Sequence, residues 1–69
     1  MQANQIWEAL ANERPVKLYD EYIGELSFQK VTAVISRKDK NGIIHHSAEL
    51  LDKNGTSVVI ASPKKIRYA

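Results

Sequence analysis

The sequence predicts a mainly β chain: one short N-terminal α-helix followed by a small five-stranded antiparallel barrel. Three observations carry this. Beyond Pro15 apolar residues recur at every second position, the period of a half-buried strand. A tetrapeptide, Asp39-Lys40-Asn41-Gly42, returns thirteen residues later as Asp52-Lys53-Asn54-Gly55, and Asn-Gly tolerates the positive φ that tight hairpins demand. Ser62-Pro63 then interrupts the last apolar run, leaving Ile66-Arg67-Tyr68 as a brief closing strand behind a helical turn.

The helix is expected over 4–13. Asn4 is the candidate N-cap, because its side-chain oxygen can accept a free N–H of the first turn. Ile6, Trp7, Leu10 and Ala11 share one helical stripe, with Ile6, Trp7 and Leu10 as anchors and Trp7 the foremost of them. Pro15 ends the helix by disfavouring helical geometry at Arg14. So short a helix is unstable alone in water and must pack, either on Leu51, Val59 and Ala61 of its own sheet, over an open barrel end, or on a second chain.

The barrel is expected over 16–68. Val16 and Leu18 begin the first strand, and Gly24 marks a turn. Leu26 and Phe28 open a second strand that continues through Val31, Ala33 and Ile35 with the opposite parity. An extra residue or sharp bend at Gln29 or Lys30 reconciles the two sets. Facing parity favours a two-residue first turn, setting Ile35 opposite Ala48 and Ala33 opposite Leu50. For the second turn it favours a three-residue bulged loop, setting Leu50 opposite Val58 and Ala48 opposite Ile60. The expected core is therefore Leu18, Leu26, Phe28, Val31, Ala33, Ile35, Ile44, Ala48, Leu50, Val58, Ile60 and Ile66.

At the level of motifs, residues 16–68 resemble Src-homology-3 domains. Leu18-Tyr19-Asp20 is similar to the middle of their first-strand aromatic motif. Glu25-Leu26-Ser27-Phe28 is similar to the segment closing their first loop, and Ala61-Ser62-Pro63 followed by Ile66 to their final turn and strand. The resemblance implies an SH3-like small barrel. It does not extend to the aromatic groove with which those domains hold proline-rich peptides, since no aromatic residue lies between Phe28 and Tyr68 and the one tryptophan is in the helix.

At 69 residues the chain holds one domain, 1–69, and hides only about 60% of its unfolded surface, which leaves stability marginal. The absence of cysteine excludes a disulfide framework. No apolar run reaches the ~18 residues of a membrane span, and the N-terminus has no signal-peptide pattern, so a soluble cytoplasmic protein is expected.

Charge is polarised. Residues 1–29 carry two cations against five carboxylates, net −3, whereas residues 30–69 carry eight against three, net +5. Two basic knots result, Arg37, Lys38 and Lys40 in one and Lys64, Lys65 and Arg67 in the other. If the first and last strands are neighbours, Tyr19 and Tyr68 lie together beside the second knot, where rings could stack bases and cations could hold phosphates.

Catalytic signals are weak. His45 and His46 are adjacent in a strand and so point to opposite faces, and no other His or Cys could complete a metal site. His46 falls on the inward face, where it needs a hydrogen-bond partner. Asp20, Glu21 and Glu25 gather at a turn without a pocket to separate their protonation. The sequence thus points to a non-enzymatic interaction module that binds a protein partner through an edge strand or loop surface and needs no cofactor. The alternative is a nucleic-acid-binding accessory barrel using the two basic knots. A homodimer through the helix or an edge strand is a further expectation.

Overall fold

The computed structural model describes all 69 residues, in the order α1 (Ala3–Asn12), β1 (Val16–Asp20), β2 (Gly24–Phe28), β3 (Lys30–Lys38), β4 (Ile44–Leu51), β5 (Val58–Ala61), a 3-10 turn (Pro63–Lys65) and β6 (Ile66–Tyr68). The protein is mainly β, with one N-terminal helix and two antiparallel three-stranded sheets of order β2-β1-β6 and β3-β4-β5. The long second strand expected from sequence is divided at Gln29, so there are six strands. The sheets do not join into a closed barrel, because β5 and β6, adjacent along the chain, do not pair.

The helix starts at Ala3 rather than at a cap on Asn4. Gln2 precedes it in extended conformation, and its backbone N–H donates to Gln5 Oε1 at 2.7 Å. This does for the first turn what a shorter polar side chain would do. Glu13 ends the helix with φ of 54°, its N–H donating to the Ala9 carbonyl. Ile6 and Ala9 are fully buried and Leu10 packs beside them, whereas Trp7 is 53% exposed. Trp7 is therefore not the anchor: the buried stripe runs one position earlier, along Ile6, Ala9 and Leu10.

Nine residues form the core: Ile6, Ala9, Val16, Leu18, Phe28, Val31, Ala48, Leu50 and Ile66. The helix lies against β3, and its Ile6 and Ala9 side chains join the core. Of the expected core, Ala33 and Ile35 are only half-buried, and Ile44, Val58 and Ile60 are exposed. Val16, Val34 and Ala61 take their places in or against the core.

Two features explain these corrections. Phe28 and Val31 are both buried across the bend at Gln29, as the parity change required. A second irregularity follows at once: Val31 faces Leu50 but Ala33 faces Glu49, leaving Thr32 as a bulge. Thr32 Oγ1 donates to Glu49 Oε1 at 2.8 Å, which satisfies the displaced residue. Beyond the bulge Val34 faces Ala48, so Ala33 and Ile35 turn away.

The turns are the second feature. In the first hairpin Asp39 N–H bonds the Ile43 carbonyl, giving a three-residue loop with Gly42 at φ +82°. In the second, Asp52 N–H bonds the Ser57 carbonyl, giving a four-residue loop with Gly55 at φ +71°. The identical tetrapeptides form different turns, each one residue longer than parity alone favours. Leu50 consequently faces Val59 and Ala48 faces Ala61.

All three hairpin turns are organised by an aspartate. Asp20 Oδ1 accepts the N–H groups of Tyr22 and Ile23, Asp39 Oδ1 those of Asn41 and Ile43, and Asp52 Oδ1 that of Thr56. Backbone bonds hold Asp20 below the usual carboxylate range. The His45 hydrogen bond, followed by backbone bonds, does so for Asp39, and the Ser57 hydroxyl, followed by Thr56 N–H, for Asp52. A carboxyl with a depressed folded pKa stabilises the fold above its unfolded pKa of about 3.9, and that contribution is lost as pH falls through the folded value. The melting temperature is therefore expected to fall as pH drops below about 4. An Asp20→Asn, Asp39→Asn, Asp52→Asn triple variant should show a flatter acid limb.

Candidate functional site

Alternation along the first sheet turns Val16, Leu18 and Ile66 inward, which puts Lys17, Tyr19 and Arg67 on its outer face. Tyr19 stands directly opposite Glu25 and Lys17 opposite both Ser27 and Arg67. Beside this face the 3-10 turn presents Lys64 and Lys65. The result is a concavity of about 440 Å³ lined by Tyr19, Glu25, Lys64, Lys65, Ile66 and Arg67. Tyr19 is 55% exposed at its rim.

Its positive charge is partly neutralised. Glu25 bridges Lys17 at 3.6 Å and also pairs with Arg67. Asp20 lies close enough to Lys65 for the ammonium to contribute to its lowered pKa. Neither Lys64 nor Lys65 has a carboxylate within bridging distance.

Tyr68 is not part of this surface. It stands opposite Val16 on the inner face, its hydroxyl accepting a bond from Asn12 Nδ2 at 2.8 Å and the Arg14 guanidinium 4.0 Å from the ring centroid. Adjacency in sheet order is as expected, since β1 pairs β6, but Tyr19 and Tyr68 point to opposite faces and form no aromatic pair. The first basic knot is also separate. Arg37 and Lys38 face opposite ways near the end of β3, Lys40 lies in the hairpin loop, and none of them lines a concavity shared with Lys64, Lys65 or Arg67.

The two histidines are held individually. His45 Nε2 contacts Asp39 Oδ2 at 2.8 Å and His46 Nδ1 contacts Ser36 Oγ at 2.8 Å, both at the surface, so His46 is not the buried group expected from its facing. No three His, Asp or Glu side chains converge in a group that could hold a metal ion.

A second surface was missed in the sequence. Val58, Val59 and Ile60 of β5 are 41% to 52% exposed, and β5 is an edge of its sheet. In an antiparallel ladder alternate residues exchange backbone bonds. The Asp52–Ser57 bond fixes the phase, so Val59 and Ala61 bond β4 while the N–H and C=O groups of Val58 and Ile60 point outward, free. A groove of about 300 Å³ runs beside it, lined by Leu18, Tyr19, Val59, Ile60, Ala61 and Lys65 among others. The legible signal was the absence of any charge from Gly55 to Pro63, which assignment of Val58 and Ile60 to the core obscured.

No helix is long and apolar enough to cross a membrane. Comparison with protein-family models, with curated proteins and with solved structures finds no similar protein.

Proposed function

We propose that the protein is a non-enzymatic interaction module whose β5 edge receives an extended strand of a protein partner. The observation that carries this is a free edge with three exposed aliphatic side chains in a chain that buries only nine residues. Strand addition supplies backbone hydrogen bonds to Val58 and Ile60, and alternate side chains of the incoming strand gain apolar contacts. The strand order, with a 3-10 turn before the last strand, supports an SH3-like shape for residues 16–68 without its peptide groove. A cytoplasmic setting goes with this reading.

A second reading is favoured by Tyr19 at the rim of the Lys64–Lys65 concavity: a nucleobase stacked on the ring with phosphate held by the ammonium groups. It is the weaker of the two, because Glu25 and Asp20 offset the charge and the other basic knot lies elsewhere.

Selection of extended peptides from a displayed library separates the readings. Strand addition predicts enrichment of alternating apolar sequences that protect the Val58 and Ile60 amides from exchange and bind alike at 0.1 and about 0.5 M salt. Failure to enrich any sequence, with Val58 and Ile60 amides that exchange freely at every protein concentration, would remove the first reading. Single-stranded RNA or DNA binding that weakens steeply with salt and is lost in Lys64→Ala, Lys65→Ala would establish the second.

A further inference from the structure

The two sheets have four edges, and three of them are defended. Edge strands escape indiscriminate pairing through charged side chains or by being covered. β2 carries Glu25. β3 carries Lys30, Arg37 and Lys38, and Lys30 is bridged at 3.1 Å to Glu13 at the end of the helix that packs on this strand. β6 carries Arg67, and its Ile66 carbonyl is taken by the Met1 amine at 2.9 Å. β5, with the sequence Val-Val-Ile-Ala, has neither charge nor cover.

Resting on the strand-addition reading above, we propose that the partner at β5 is a second copy of this chain, the two β5 strands pairing antiparallel about a two-fold axis. A symmetric contact requires a self-complementary surface. β5 meets that requirement because no residue in it would place like charges opposite one another, and its free groups alternate in the phase an antiparallel mate needs. The chain's other edges do not fit: β2, β3 and β6 would each bring a charge against the aliphatic side chains of β5. Pairing joins the two β3-β4-β5 sheets into one six-stranded sheet and covers Val58, Val59 and Ile60. A four-residue strand makes a small contact, so the dimer is expected to be weak, with Kd on the order of 100 µM.

The test is sedimentation of the whole chain from about 10 µM to 1 mM, with Ile60→Lys as the variant. Ile60 is exposed and carries free backbone groups, and lysine there gives β5 the defence the other edges have. The expected result is a wild-type monomer–dimer equilibrium that Ile60→Lys shifts to monomer by at least tenfold in Kd. Amide exchange needs no variant: protection at Val58 and Ile60 should rise with wild-type concentration while that of Val59 and Ala61 stays constant. A wild type that is monomeric at 1 mM, an assembly larger than a dimer, or a dimer indifferent to Ile60→Lys overturns the proposal. If the chain is monomeric and selected peptides still protect Val58 and Ile60, the self-pairing alone has failed. If neither a peptide nor a second copy protects them, strand addition itself has failed.

Discussion

Ile6→Ala is expected to destabilise the protein by about 2–4 kcal/mol, while Trp7→Ala costs below about 1 kcal/mol. Ile6 is completely buried in the core, and Trp7, next to it, is 53% exposed. Alanine is the better helix former, so the loss at position 6 measures packing alone. In a domain this small each kcal/mol shifts the melting point by roughly 4–8 °C, which makes the Ile6 effect roughly 8–32 °C. Thermal melts of the two variants decide the matter. Equal losses would mean that the helix sits on the sheets with a different face.

Leu50→Ala is expected to cost about 3 kcal/mol. Leu50 is fully buried, stands opposite Val31 on one side and Val59 on the other, and so ties both neighbouring strands to the core. A small single-core domain has only about 3–5 kcal/mol of total stability, so this variant should be largely unfolded near 37 °C. Leu51→Ala, on the opposite face, should cost far less. Urea denaturation of both variants reads the facing of β4 directly, and a reversal of the order would place the ladder one residue out of register.

The sequence made elements legible wherever a local rule decided them. Pro15, the Asp-Lys-Asn-Gly repeats and Ser62-Pro63 mark chain reversals by their own backbone chemistry, and the structure turns at each. Even the bend at Gln29 was visible as a clash of parity. What escaped was counted in single residues. Loop lengths of three and four, where parity alone favoured two and three, turned Val58 and Ile60 outward. The Thr32 bulge exchanged Ala33 and Ile35 for Val34, because a bulge is stabilised by a partner, here Glu49, that lies seventeen positions away. Trp7 has the size of an anchor, but the equally regular stripe through Ile6 and Ala9 is the one that is buried.

The basic knots show the same limit for the candidate site. Sequence counted the cations correctly but could not see that Glu25 is shared between Lys17 and Arg67, or that Tyr68 is occupied on the inner face with Asn12 and Arg14. Both depend on which face a strand residue presents, and that is set by pairing with β1.

The bond from the Met1 amine to the Ile66 carbonyl has a kinetic meaning. It joins groups 65 positions apart, and Ala69 N–H likewise reaches back to the Pro15 carbonyl. Each doubling of a closed loop adds about 0.6 kcal/mol of entropic cost, so this closure costs roughly 2.4 kcal/mol more than a loop of about four residues. The β3-β4-β5 meander, built from two local hairpins, can therefore assemble first, with helix docking and β1–β6 pairing completing the fold last.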